Sequence, residues 1–236
     1  MDSVLLGFTG GMVAAIATTA GAIPALIGKS LSQRAADTML GFAAGVMLSA
    51  SYFSLILPGI AAGEKLYDSL VAAALIAGVG IALGATFVAW LNSALPHEHF
   101  LTGREGADPK ALARIWLFVV AITIHNFPEG LSIGVAFGAG NLANGMSVMT
   151  GISLQDIPEG LAVAVALIGQ GYSRKRAFFV TMATGMVEPV GALIGAAAVS
   201  LSGMLLPWGL TFAAGAMLYI ISHEILPETH RNGHQN

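Results

Sequence analysis

The sequence predicts an all-α, polytopic membrane protein: a helix bundle with seven visible transmembrane helices in a single domain over residues 1–236. Three observations carry that reading. Hydrophobic residues make up 56% of the chain and charged residues only 10%, against about 25% charged in soluble domains. The apolar residues fall into runs close to the ~20 residues that cross a ~30 Å hydrocarbon core as a helix. Those runs also lack the apolar–polar alternation of a membrane strand.

The first run, Val4 to Ile27, follows Met1-Asp2-Ser3. That start lacks the basic region of a cleavable leader, so the run is expected to act as its own insertion signal. Lys29 and Arg34 come next, before the second run, Met39 to Ala62. Glu64, Lys65 and Asp68 separate it from the third, Leu70 to Leu95. Arg104, Lys110 and Arg114 lead into the fourth run, Ile115 to Phe137, and the fifth covers Ser147 to Gly169. Arg174, Lys175 and Arg176 precede the sixth, Ala177 to Leu201; the seventh, Pro207 to Leu226, leaves the polar end "ETHRNGHQN". Nine of the ten Lys and Arg thus lie in alternate connections, with Lys65 alone on the other side. Basic residues favour the cytoplasmic face. The expected setting is the cell membrane, with the amino terminus outside and connections 28–38, 96–114 and 170–176 inside.

Several classes are disfavoured. Cysteine is absent, so there is neither a disulfide framework nor thiolate chemistry. The net charge of −3 comes with no basic tract that would suggest nucleic acid. The 30 glycines include the small-xxx-small patterns "GFAAG" (41–45), "GIALG" (80–84) and "GALIG" (191–195). All three are read as helix packing.

The fourth to sixth runs carry Glu129, Asp156, Glu159 and Glu188. Each lies roughly 9 to 14 residues into its run, near the bilayer midplane at ~1.5 Å per residue. A charge there costs about 2.5–3.5 kcal/mol on insertion scales. No Lys or Arg falls inside any run, so either the acids are protonated or a cation arrives from outside. The neighbours favour the cation. His125 and Glu129 are spaced i, i+4 on one helical face, and Gln155 and Glu159 repeat the spacing. Asn126 and Asp156 take the equivalent next positions. Nitrogen, carboxylate and amide oxygen together suit a divalent transition metal. Two adjacent ions would balance four carboxylates, with Glu129 and Glu159 as bridging ligands. Pro128 and Pro158 lack an amide hydrogen and so release the carbonyls of Ile124 and Leu154, while Pro189 does the same for Gly185. Such carbonyls are tolerated at membrane depth where they face protein, water or an ion. The bland alternative makes these polar residues interhelical hydrogen bonders; the repeated, depth-matched set weighs against it.

"HNFPEG" followed by "QDIPEG", with "MVEP" one helix later, resembles the ZIP (Zrt/Irt-like) divalent metal transporter family, especially its bacterial zinc-uptake and GufA-like types. The resemblance implies a pseudo-symmetric bundle with a binuclear centre moving Zn2+, with Cd2+, Fe2+ and Mn2+ as further candidates, toward the cytoplasm. Carried over by position, His125, Glu129, Gln155 and Glu159 resemble the first metal site. Asn126, Asp156 and Glu188 resemble the second, with Glu129 and Glu159 shared. Met47 matches a position that can add a thioether near the first site, although by itself it reads as packing. Many relatives have His where this chain has Gln155, which leaves the first site one nitrogen ligand short. The family also implies eight helices where seven fit, so a chain ending before the eighth span and a genuine seven-helix variant both stay open.

Further candidates lie toward the cytoplasm: His97 and His99 in "PHEHF", and His223, Glu224, Glu228 and His230 in "SHEILPETH". They read either as an exit or sensing cluster for the ion or as a solvated interfacial group. The implied partners are divalent metal ions and the lipid bilayer, with a homodimer left open. The implied mechanism is alternating access around a midplane site. A passive metal channel is the close rival. An intramembrane zinc hydrolase is the distant one, because H-E-x-x-H is absent and the excess of carboxylates favours exchangeable binding.

Overall fold

The computed structural model describes residues 2–28, 33–94, 97–99, 103–105, 114–169 and 172–225. At 33–37, 39, 40, 97–99, 103–105, 114–119, 121, 122, 125, 166, 169, 224 and 225 the backbone alone is described. Helix α1 (Ser3–Gly21) opens at Asp2, whose carboxylate accepts the Val4 amide at 3.0 Å, a capping bond that satisfies one of the orphan donors of a first turn. At Ala22 the helix breaks, and Pro24 sits in the first turn of the short α2 (Ile23–Leu26).

Helix α3 (Gln33–Ser49) continues through a π turn at Ala50–Ile56 into α4 (Leu57–Tyr67). Pro58 accounts for the widening, because it has no N–H to give the carbonyl of Ser54 four residues back. Around this turn Ser51 Oγ donates to Met47 O at 2.8 Å, and the hydroxyls of Ser54 and Ser147 pair at 3.0 Å. Asp68, at φ 51°, ends α4 in the left-handed region. Helix α5 spans Leu70–Ala94. A short antiparallel pair follows, β1 (His97–His99) against β2 (Gly103–Glu105), with His97 opposite Glu105. No sequence pattern marks it: three-residue strands are too short for a periodicity.

Helices α6 (Arg114–Gly138) and α7 (Leu142–Gly169) are 25 and 28 residues long. The sixth run is broken into α8 (Arg174–Gly185) and α9 (Glu188–Leu201). A 3-10 turn leads into α10 (Leu206–Ile220), and a second π turn, Ile221–Ile225, ends the described chain. Among the described residues, five stretches are long and apolar enough to cross a membrane: Ser3–Leu26, Gly41–Tyr67, Leu70–Ala94, Arg174–Leu201 and Gly203–His223.

The outer surface is apolar: Ile16, Phe53, Val71 and Leu75 are each more than 60% exposed, as expected where lipid is the solvent. Helix α5 shows the inverse pattern. It buries the small residues Ala73, Ala77, Gly80 and Gly84 toward α10 and exposes Leu75, Val79, Leu83 and Trp90. The backbones approach so closely that a Cβ on Gly84 would strike the Phe212 carbonyl oxygen, and one on Gly215 that of Ile81. Packing is therefore correct for residues 80–84, and for 191–195, where Gly191 and Gly195 face the carbonyls of Phe127 and Leu131. It is wrong for residues 41–45. Gly41 and Gly45 lie on the exposed face of α3, with nothing among the described residues within 4 Å of either Cβ position, while Ala43, Ala44 and Met47 take the buried face.

A second packing group sets the polar residues. Helix α6 lies along α9, and α1 lies along both α7 and α9.

Candidate metal centre

The centre forms where α1, α6, α7 and the start of α9 meet. Helix α6 carries Pro128 in its interior and buries Asn126 and Glu129; α7 carries Pro158 and buries Gln155 and Asp156, with Glu159 half-buried. The carboxylates of Glu129, Asp156 and Glu159 offer oxygens that all lie within 4.8 Å of one another. Gln155 Nε2 donates to Glu129 Oε1, which ties the two proline-containing helices together inside the cluster.

Glu188 joins through a different device. Pro189 does more than bend the sixth run: the helix stops at Gly185 and restarts at Glu188, its first residue. An acid in the first turn lies at the positive end of the helix dipole. Thr18 Oγ1 of α1 donates to Glu188 Oε1 at 2.8 Å. Glu188 is fully buried and, with Glu129 and Glu159, lies within electrostatic reach of Asp156.

Two glycines set these distances. A Cβ on Gly130, next to Glu129, would collide with the Glu188 carbonyl oxygen, so α9 is seated directly on the first P-E-G motif. A Cβ on Gly160, next to Glu159, would collide with the Thr18 carbonyl oxygen, so α1 is seated on the second. The repeated glycine thus does the same work in both copies, and the Thr18–Glu188 bond joins the two seated helices.

The donor set is unusual for a buried interior. Both amide atoms of Asn126, both carboxylate oxygens of Asp156 and the amide oxygen of Gln155 are buried without a hydrogen-bond partner among the described residues. Leaving such groups unpaired costs roughly 1–3 kcal/mol each. Clustered carboxylate oxygens with buried amide oxygens on the same helices are the donors a divalent cation would use.

The structure gathers Asn126, Glu129, Gln155, Asp156, Glu159 and Glu188 at neighbouring positions on these helices. His125 lies one turn before Glu129 on α6, and its side chain is outside the described residues. Met47 is fully buried in the main apolar core with Ala44, Val148 and Ile152. Of the exit candidates, His223 lies in the second π turn with its ring stacked on Tyr219, centroids 5.0 Å apart. The side chains of His97, His99 and Glu224, and all of Glu228 and His230, are outside the described residues.

Two residues escaped the sequence reading. Thr18 gave no signal because a threonine in an apolar helix ordinarily satisfies itself on the carbonyl four residues back, and Ala14 O at 3.3 Å is indeed its second acceptor. Asn92, buried on α5 with both amide atoms unpartnered among the described residues, was visible as the one amide in its apolar run. For Thr18 the expected result is specific. Thr18→Val keeps the volume and removes the donor, and should weaken zinc binding roughly tenfold, the low end for a supporting hydrogen bond. Thr18→Ser should restore it; isothermal titration of the purified variants measures both.

A family model described as ZIP zinc transporter matches residues 97–236. The zinc transporter GufA of Myxococcus xanthus is 46% identical over 227 residues, covering 96% of this chain and 89% of that protein. The zinc transporter ZIPB of Bordetella bronchiseptica is 46% identical over 226 residues, covering 96% of this chain and 73% of its own length. The zinc transporter ZupT of Chlorobaculum parvum is 32% identical, covering 98% and 90%. The motif-bearing helices and these likenesses over nearly the whole length agree: the chain belongs to the ZIP zinc transporter family.

Proposed function

We propose that this chain carries Zn2+ into the cytoplasm, with Cd2+, Fe2+ and Mn2+ as competing cargo, through a binuclear site near the bilayer midplane. One observation carries the reading: three carboxylates share a single 4.8 Å neighbourhood inside apolar helices, beside buried amide and carboxylate oxygens that have no protein partner among the described residues. Glu129 and Glu159 bridge the ions. His125 and Gln155 complete the first site; Asn126, Asp156 and Glu188 complete the second. Met47 belongs to the packing. His97, His99, His223, Glu224, Glu228 and His230 receive the ion on the inner side.

Helices α6 and α7 cross the membrane with the five apolar spans, making seven crossings, with the amino terminus outside and the protein in the cell membrane. A cysteine at the exposed Ser173 should then react with an impermeant thiol reagent only from the cytoplasm, and one at the exposed Asn141 only from outside. Labelling of both from one side would overturn this arrangement.

Alternating access exposes the site by moving one helix group against another. Helix α10 packs against α6, and that contact is the proposed seam for this movement. Zinc uptake into proteoliposomes of the purified protein tests the proposal: influx should saturate and be competed by Cd2+. Flux that rises linearly without saturating would indicate a channel, and the absence of flux would remove transport altogether. Gln155→His tests the first site in the same assay. Imidazole binds zinc more strongly than an amide oxygen, so the apparent KM should fall while maximal flux stays level or drops. Gln155→Ala should retain partial activity. Identical kinetics in all three proteins would make Gln155 a structural bridge to Glu129.

A further inference from the structure

Away from the metal centre, a cavity of about 580 Å3 opens beside the first turn of α8. Its lining has two zones. Ser173, Lys175 and Arg176 form the polar rim, while Phe179, Val180 and Ala183 continue down one face of α8 as an apolar wall. Thr123 of α6 and Thr184 complete the lining.

The rim is electrically unfavourable as it stands. Arg174, Lys175 and Arg176 occupy the first turn of a 12-residue helix, where the helix dipole is positive and cations are disfavoured. The Ser173 hydroxyl caps this turn by accepting the Arg176 amide at 3.4 Å. Two of the three bases are held in place: the Arg176 guanidinium lies 5.0 Å from the centre of the Tyr172 ring, and that of Arg174 packs over Gly28. Of the rim bases Arg176 is thus held, and a cationic rim on a positive helix end attracts an anion. The apolar wall beneath it, where Phe179 is 59% exposed, calls for a hydrocarbon chain on the same molecule.

We infer that this cavity binds an anionic phospholipid, its phosphate against Lys175, Arg176 and the α8 amino terminus and an acyl chain along Phe179, Val180 and Ala183. Basic pockets between membrane helices bind such headgroups, and the cytoplasmic leaflet supplies them. A free phosphate would satisfy the rim but leave the apolar wall uncovered. The lipid ties down the end of α8 opposite Gly185, where the helix breaks before Glu188, so it fixes the helix that positions the metal centre from below. The lipid site rests on the proposed orientation, which puts the first turn of α8 on the cytoplasmic side, but not on transport, and its test involves no zinc.

The test is native mass spectrometry of the full purified chain titrated with phosphatidylglycerol or phosphatidylcholine. Wild type should retain one phosphatidylglycerol in preference to phosphatidylcholine, and excess inorganic phosphate should not displace it. The double variant Lys175→Gln/Arg176→Gln, altered only at exposed positions, should bind it about thirtyfold more weakly, from two lost basic contacts. Lys65→Gln, at the opposite end of the bundle, should match wild type. Equal retention by the double variant, an equal loss in Lys65→Gln, no preference over phosphatidylcholine, or displacement by inorganic phosphate would each overturn the site.

Discussion

Glu129→Ala and Glu159→Ala are each expected to abolish nearly all zinc uptake while leaving a folded, membrane-inserted protein. Outer-shell substitutions at metal sites already cost roughly 10–100-fold in affinity, so removing a ligand shared by two ions should cost more than about 100-fold. Glu188→Ala should be milder, because in the proposed centre Glu188 serves one ion only. The measurement is initial uptake rate in proteoliposomes at matched protein content. Protons compete with metal for the same oxygens, so uptake by the wild type should also weaken as pH falls. Full uptake by Glu129→Ala would remove the shared-ligand arrangement.

The second large effect is steric. Gly130→Ala and Gly160→Ala each place a methyl group against a backbone carbonyl, that of Glu188 in one case and Thr18 in the other. Backbone cannot yield as a flexible side chain can, so α9 or α1 must shift. Overpacking of this kind costs about 1–3 kcal/mol. Here the shift also displaces Glu188 or its hydrogen-bond donor, so both variants should lose thermal stability in detergent and lose uptake together. Gly41→Ala and Gly45→Ala meet no neighbour among the described residues and should stay within about 0.5 kcal/mol of wild type. Equal stability across all four variants would mean that the P-E-G glycines do not set the helix spacing.

These two cases show what the sequence made legible. The acids could be read because cost and register are both linear properties: Glu129 and Glu159 recur in the same frame beside proline, at one depth, with no basic residue in the runs. The glycines could not be sorted in the same way. The "GFAAG" and "GALIG" patterns are equivalent as strings, and only the rotation of each helix decides that Gly41 faces outward while Gly191 faces the Phe127 carbonyl. Thr18 and Glu188 are 170 residues apart, a contact no local pattern encodes. The break before Glu188 was half visible. Pro189 signals a lost hydrogen bond, but whether the helix bends, as α6 and α7 can at Pro128 and Pro158, or restarts depends on the packing of its neighbours. The β1–β2 pair gave no warning because three residues per strand carry no period.

The central claim is that Glu129 and Glu159 hold two ions together, and counting metal tests it most directly. The protein, purified and equilibrated with Zn2+, should carry two more zinc ions per chain than the Glu129→Ala/Glu159→Ala variant treated in the same way, as read by elemental analysis against protein concentration. Taking the difference cancels any zinc held by the histidines elsewhere, which both proteins share. A loss of two ions is the predicted result. An unchanged zinc content would contradict the account, and a loss of one would reduce the centre to a single ion.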